Sequence, residues 1–289
     1  MLYKHQKMRD STENIYQQKV NQVIDYINSH LQEPLRLDVL AEEINVSQRQ
    51  LLRIMRSSLD ESLASYVSRQ RIERAVMYLQ TEEMNLTSLA NMVGYENAQS
   101  FSKAFKRLYG ISPKTYVREL QSRLESYVKS SGNRYADLYS EICEESGIEL
   151  VYIRITGKYG EDEPYKTAWD KLLCFLEKNA ALSDETRFIG ISFDDPNVTK
   201  PDQCRFYACA SVHKKVVPNG EFGIIQIRKG KYAVYTSKGS YSGLQELYNN
   251  ISINFAHTIR HGLAFEEYMS TAYNTKENDL VTKIFIPIK

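Results

Sequence analysis

The sequence predicts an all-α N-terminal domain, two helix-turn-helix units joined by a long helix, followed by an α+β C-terminal domain with duplicated βαββ halves. Three observations carry that expectation. Up to residue 128, apolar residues recur at helical spacing almost throughout. Past a polar stretch at 129–134 (KSSGNR), the texture changes to short apolar and aromatic runs of strand length, with two helical patterns between them. Each part also repeats itself, the first at an offset of 49–50 residues and the second at 82.

Taken in order, Ile15, Val20, Val23, Ile24, Ile27 and Leu31 lie close to i, i+3, i+4, i+7 spacing, and Glu33-Pro34 stops the pattern. Residues 1–14 are left as an N-terminal extension. Shorter helices are expected at about 37–44, 48–58, 63–80, 87–93, 97–108 and 113–127. Asp38 reads as the cap of the first of these, whose Leu40, Ala41 and Ile44 face a core. Asn45 stands where the chain must turn sharply, and Ser47 caps the next helix. There Leu51 and Met55 anchor inward while Gln48, Arg49, Arg53 and Arg56 project outward. In the second copy Gly94 makes the turn and Phe101 and Phe105 are the anchors. Gln99, Ser102, Lys103, Lys106 and Arg107 are its outward residues.

A short helix, a tight turn and a longer helix carrying Gln and Arg outside form a helix-turn-helix, whose second helix enters a major groove. Arg and Gln suit that place because they bond bidentately to guanine and adenine edges. An ordinary helical bundle with solvated charged faces fits one such unit equally well. Two copies favour the reader, since the helix between them spans about 27 Å at ~1.5 Å per residue, a length suited to successive groove faces.

Residues 129–148 read as a linker. Strands are then expected at 151–155 (VYIRI), 188–192 (FIGIS), 206–212 (FYACASV) and 222–227 (FGIIQI). Three more follow at 232–236 (YAVYT), 265–268 (FEEY) and 283–288 (KIFIPI), with helices at about 162–180 and 242–261.

Composition narrows the function classes. The 289 residues are 42% hydrophobic, 25% charged and 11% aromatic, enough for two cores and against wholesale disorder. No apolar run nears the ~18 residues of a membrane helix, and no apolar segment follows the basic residues at the start, so no secretory signal and no membrane partner are expected. Cys143, Cys174, Cys204 and Cys209 show no CxxC and are expected reduced, in a cytoplasm. The net charge of +1 hides an asymmetry: residues 1–130 hold 18 Lys and Arg against 15 Asp and Glu. Residues 97–118 carry five basic side chains and no acidic one, the mark of a solvated helix face or of a phosphate-facing one.

Catalytic and metal chemistry leave little trace. There is no GxSxG, no GxGxxG after a strand and no P-loop. His257 and His261 stand i, i+4 but have no acidic or Cys partner at suitable spacing, so neither metal nor cofactor is expected. The anomaly is 265–268, where Glu266 and Tyr268 share one strand face and Phe265 and Glu267 the other. One carboxylate must point inward. A buried carboxylate needs a partner, either a core Arg or Lys or a cation yet to arrive.

Residues 16–118 resemble the DNA-binding domain of the AraC/XylS family of bacterial transcription regulators. The match lies in Leu40-Ala41, Ser47, Leu51, Arg53, Leu63, Tyr66, Arg71-Ile72, Ala75 and Leu79. It continues in Ala90, Val93-Gly94-Tyr95, Phe101, Phe105-Lys106, Gly110, Ser112-Pro113 and Tyr116. The resemblance implies a DNA-binding domain over 15–128, with Gln48, Arg49, Leu52 and Arg53, and Ala98, Gln99, Ser102 and Lys103, facing the groove. Asn45 and Asp60 stand where the family has glycine, and Met55 where it has phenylalanine.

Residues 149–289 resemble the GyrI-like effector-binding domain through Tyr152-Ile-Arg154, Gly157-Lys-Tyr-Gly160, Arg187-Phe-Ile-Gly-Ile191 and Phe265-Glu-Glu-Tyr268, among others. That implies a cleft for lipophilic, often cationic, molecules, with the acid at Glu266 and with Trp169, Tyr152, Tyr232 and Tyr268 around it. Together the two resemblances imply a Rob-like regulator acting on double-stranded DNA, a small amphipathic ligand and RNA polymerase. A GyrI-like hydrolase using Glu266 and Tyr268, and a gyrase-inhibitor-like protein-binding module, are the alternatives. The duplicated helix-turn-helix favours the regulator, since neither alternative needs it.

Overall fold

The computed structural model describes residues 2–81, 85–130, 138–160, 162–197, 199–260, 262–270 and 275–289; of residues 2–12, 80, 81 and 162 it describes the backbone only. The chain divides into two compact units, a helical one and a sheet-bearing one.

The helical unit begins with α1 (Leu2–Ser29), so helix extends through the residues expected as a separate extension. The first helix-turn-helix is α2 (Leu37–Glu43) and α3 (Gln48–Leu59). Leu40, Ala41, Ile44, Leu51, Ile54 and Met55 share one core with Ile24 and Ile27 of α1. Asn45 takes the turn at φ 51°, the left-handed conformation expected of it. Ser47 caps α3 by accepting from Gln50 N at 3.2 Å. The cap expected of Asp38 is a misplacement. Arg36 occupies the N-cap without a side-chain bond, and Asp38 lies in the first turn, accepting from Val39 N and pairing with Arg36.

The long helix α4 (Leu63–Thr81) leads to the second copy, α5 (Leu86–Met92) and α6 (Ala98–Tyr109). Gly94 turns the chain at φ 87°. A Cβ there would lie 2.5 Å from Leu31 O and 2.8 Å from the Arg71 guanidinium, which itself donates to Leu31 O and Glu33 O. Only glycine meets both demands. Phe101, Phe105 and Tyr116, the last in the first turn of α7 (Pro113–Ser130), pack edge to face, and the helical unit ends at Tyr116 within that helix.

In the second unit β1 (Glu141–Glu145) and β2 (Ile148–Thr156) come first. Then follow α8 (Asp162–Lys178), β3 (Phe188–Ser192), β4 (Arg205–Ser211) and β5 (Phe222–Ile227). Last are β6 (Gly230–Lys238), α9 (Leu244–Asn254), β7 (Phe265–Tyr268) and β8 (Val281–Pro287). They form one eight-stranded sheet in the order β1-β6-β8-β7-β3-β4-β2-β5. Two expectations need correction. The stretch read as a linker, 129–148, contains β1, which pairs antiparallel with β6. The helix expected over 242–261 stops at Asn254, because Phe255 turns extended and Ile259 bridges to Ile288 at the sheet.

The segments β2–α8–β3–β4 and β6–α9–β7–β8 have the same connectivity: in each, the first strand pairs with the last, which pairs with the middle one. They join at β3 and β7, where Gly190 pairs with Glu266 and Ile189 with Glu267. Alternation along the strands then sorts the side chains. One face carries Ala233, Tyr235 and Ile284 against Leu247 and Ile251 of α9, and α8 lies over β2 and β4. The other face carries Tyr152, Ile189, Tyr207, Tyr232, Phe265 and Phe285 as a second core. Arg187, at the entry to β3, bonds Glu267 on β7 and Glu145 on β1. Strands β7, β8 and β6 separate β3 from β1 in the sheet, so the sheet must curl strongly to bring those groups together.

Candidate functional site

The reading helices present what their sequences dictate. With Leu51, Ile54 and Met55 buried in α3, helical geometry leaves Gln48, Arg49, Leu52, Arg53 and Arg56 exposed. With Phe101 and Phe105 buried in α6, Gln99, Lys103, Lys106 and Arg107 are exposed and Ser102 is half-buried. Asn97 caps α6 by accepting from Ser100 N at 2.8 Å. Neither helix carries an acidic residue, so each outer face offers donors and positive charge to a phosphate-lined groove. Leu52, at 44% exposure, is an apolar member of that face and suits contact with a thymine methyl group.

The second site forms where β3 meets β7, under the two helices. Glu266 is 4% exposed. Its Oε1 accepts from Tyr248 Oη of α9 at 2.9 Å and from Ser192 Oγ of β3 at 3.3 Å. Its Oε2 accepts from Tyr268 Oη at 2.7 Å. Trp169 of α8 stands edge-on to Tyr268, with ring centroids 5.7 Å apart, and Tyr241 packs on the same ring at 5.3 Å. Burial pushes the Glu266 carboxyl above its ordinary pKa, against the lowering effect of the three hydroxyls. Burial, then the nearby Glu266 charge, holds the Tyr248 and Tyr268 hydroxyls well above theirs, so they act as donors.

The pairing with a core cation considered for a buried carboxylate falls to Glu267. Glu267, on the opposite face, pairs with Arg187 at 2.7 Å. Glu266 is bonded by hydroxyls alone, and no cationic side chain meets it among the described residues.

Of the five residues expected around the effector, Trp169, Glu266 and Tyr268 come together. Tyr152 and Tyr232 do not. Tyr152 pairs with Cys209 on the face of Glu267 and stacks on Tyr207 at 4.3 Å; Tyr232 packs against Phe265 and donates to Arg228 O at 3.0 Å. Strand parity excludes both from the face of Glu266. Tyr248, Ser192 and Tyr241 take their places. Ser192 had a readable signal, lying two residues past Gly190 on one strand face, whereas Tyr248 required the rotation of α9. His257 Nε2 bonds Ser140 Oγ at 2.9 Å, and His261 lies outside the described residues. Among the described residues no cluster of His, Cys, Asp and Glu is arranged to hold a metal, and no helix is long and apolar enough to cross a membrane.

One unit thus presents two capped helices with basic and amide side chains outward, and the other a buried carboxylate among aromatic side chains, the arrangement expected of a DNA-binding protein with a small-molecule-binding domain. Comparison with known proteins gives the family. Residues 40–119 match a helix-turn-helix domain and residues 140–289 a GyrI-like small molecule binding domain. The chain is 30% identical over 105 residues to the regulatory protein SoxS of Salmonella typhimurium, covering 36% of this chain and 98% of that one. It is 33% identical over 103 residues to the Msm operon regulatory protein of Streptococcus mutans, 36% of this chain but only 37% of that protein's length. Among solved structures, the C-terminal domain of AraT, a response regulator from Geobacillus stearothermophilus, is 33% identical. That match covers 35% of this chain and 84% of that one, with a TM-score of 0.34. The chain belongs to the AraC/XylS family of transcription regulators, in the Rob-like form that carries a GyrI-like domain. It is a DNA-binding transcription regulator that carries a small-molecule-binding domain.

Proposed function

We propose that the effector is an amphipathic cation held over Glu266 between Trp169, Tyr241, Tyr248 and Tyr268, and that its binding alters DNA binding by α3 and α6. One observation carries the choice of a cation: a carboxylate buried to 4% exposure whose bonding partners are all neutral hydroxyls. Three hydroxyls make the charge tolerable without cancelling it, and a cation in a water-poor site is drawn to it more strongly than in water. Aromatic walls add burial and cation–π attraction.

Gln48, Arg49, Arg53, Gln99, Ser102 and Lys103 read bases in two successive major grooves, and Arg56, Lys106 and Arg107 hold phosphates. Bound there, the protein acts on transcription through RNA polymerase, in the cytoplasm where the chromosome lies.

The test of the effector uses tetraphenylphosphonium and the neutral triphenylphosphine oxide, of similar shape, titrated against Trp169 fluorescence. Glu266→Gln keeps the shape and removes the charge. It should weaken the cation by about 1.5–3 kcal/mol, ten- to a hundredfold, and leave the neutral compound within about threefold. Equal loss of both would make Glu266 a structural carboxylate and remove the reason for a cation.

A further inference from the structure

Gly190 stands where the two segments of the sheet meet, in register with Ala208 on β4 and with Glu266 on β7. Its φ is not positive, so the backbone there does not call for glycine. Space does. A Cβ at this position would lie 2.3 Å from Tyr268 Oη, and 2.7 and 2.8 Å from Cζ and Cε2 of Phe206. The Tyr268 hydroxyl thus occupies the volume that a side chain at 190 would fill, and from that seat it donates to Glu266 Oε2 at 2.7 Å. The same ring receives the edges of Trp169 and Tyr241. Whatever displaces Tyr268 disturbs the carboxylate and two of its aromatic walls together.

We infer that Gly190 is a specificity-determining position of the effector site. The missing side chain gives the Tyr268 hydroxyl its seat against β3, and so sets where the ring stands relative to Glu266, Trp169 and Tyr241. A methyl group at 190 drives the ring off the sheet. Phe206 shares that face and packs against Tyr165 of α8, so it closes one side, and the Tyr268 ring moves away from β3, among the Trp169 and Tyr241 edges that would bound the ligand. Glu266 also loses its shortest hydrogen bond. The site then rejects large ligands and still admits small ones. This rests on the effector reading given above, but the seat of Tyr268 is testable without any ligand.

The experiment uses the full chain as wild type, Gly190→Ala, Tyr268→Phe and the double variant, each also in a Phe206→Leu background, which removes the two ring atoms that the new Cβ would meet besides the hydroxyl. Phenylalanine lacks the Oη that the new Cβ would strike, so in that background Tyr268→Phe should rescue the alanine. Without ligand, Trp169, the single indole of the chain, should change its emission in Gly190→Ala and return to the Tyr268→Phe value in the double variant. With ligand, Gly190→Ala should weaken tetraphenylphosphonium at least tenfold and benzyltrimethylammonium less than threefold. The double variant should bind both as Tyr268→Phe does. An emission change that persists in the double variant of the Phe206→Leu background, or equal loss of both probes, overturns the inference. If Gly190→Ala does not fold with Phe206 in place, that background carries the whole comparison. A wild type that binds neither cation counts against the effector reading, while the emission pattern still decides whether Gly190 seats Tyr268.

Discussion

Replacing Arg187 by methionine should cost the sheet unit about 2–4 kcal/mol at neutral pH. The guanidinium makes four bonds. Nε and Nη2 donate to Glu267 at 2.7 Å each, and Nη1 and Nη2 donate to Glu145 at 3.1 Å each. Burial works against its charge, and the bonds to the two carboxylates more than reverse that, so its pKa ends above the ordinary value. Breaking a fully buried pair costs about 3–5 kcal/mol. With side-chain exposures of 28% for Arg187, 14% for Glu145 and 13% for Glu267, solvent screening brings the expectation to the lower figure. Methionine removes the guanidinium, which also lies 6.0 Å over the Phe285 ring, and leaves two half-buried carboxylates without their shared partner. Urea unfolding followed by Trp169 emission isolates this unit, since the helical unit has no tryptophan. A loss below 1 kcal/mol would refute the claim that Arg187 holds the curled sheet through its bonds to Glu145 and Glu267.

Three further outcomes follow from the same geometry. Arg53→Ala and Lys103→Ala should each weaken DNA binding by about 1–3 kcal/mol where the side chain reads a base, and affinity should fall with salt as counterions are released; titration of a labelled duplex at several salt concentrations checks both. Asp60 caps α3 at φ 55°, where the second copy has Gly110 at φ 77°. Asp60→Gly should therefore stabilise the helical unit by up to about 1 kcal/mol in thermal unfolding, since left-handed backbone costs a residue with Cβ ~1–2 kcal/mol and glycine returns ~0.4–1 as unfolded-state entropy. Because burial raises the Glu266 pKa, tetraphenylphosphonium affinity should rise with pH as that carboxyl ionises and level off above its folded pKa; Glu266→Gln should show no such dependence.

What the sequence made legible divides along physical lines. The helical unit declared itself because its short helices carry their own anchors and, at Ser47 with Leu51 and at Asn97 with Phe101, their own caps, and these are local properties. Strand β1 was hidden because Glu-Ile-Cys-Glu-Glu has three acids and exposes Ile142; an edge strand needs no apolar alternation. At the effector site, Glu266 and Tyr268 were readable as one face of one strand. Placing Tyr152 and Tyr232 beside them required the register across β4, β3, β7, β8 and β6, and a single-residue difference sends an aromatic to the opposite face. Asp38 failed as a cap for a similar reason, since its first-turn place differs from an N-cap by two residues.

The central claim is that effector binding at Glu266 and DNA binding by α3 and α6 are coupled. The direct test takes a duplex that the full chain selects from genomic DNA and measures its affinity with and without saturating tetraphenylphosphonium. Tetraphenylphosphonium affinity is then measured with and without the duplex. Linkage requires the two ratios to be equal, and a regulatory coupling of about 1–3 kcal/mol makes them 5- to 150-fold. The account predicts equal ratios in that range for the wild type and ratios near one for Glu266→Gln at the same concentration of the cation. A wild type that binds both the cation and the duplex, each with an affinity indifferent to the other, would contradict it.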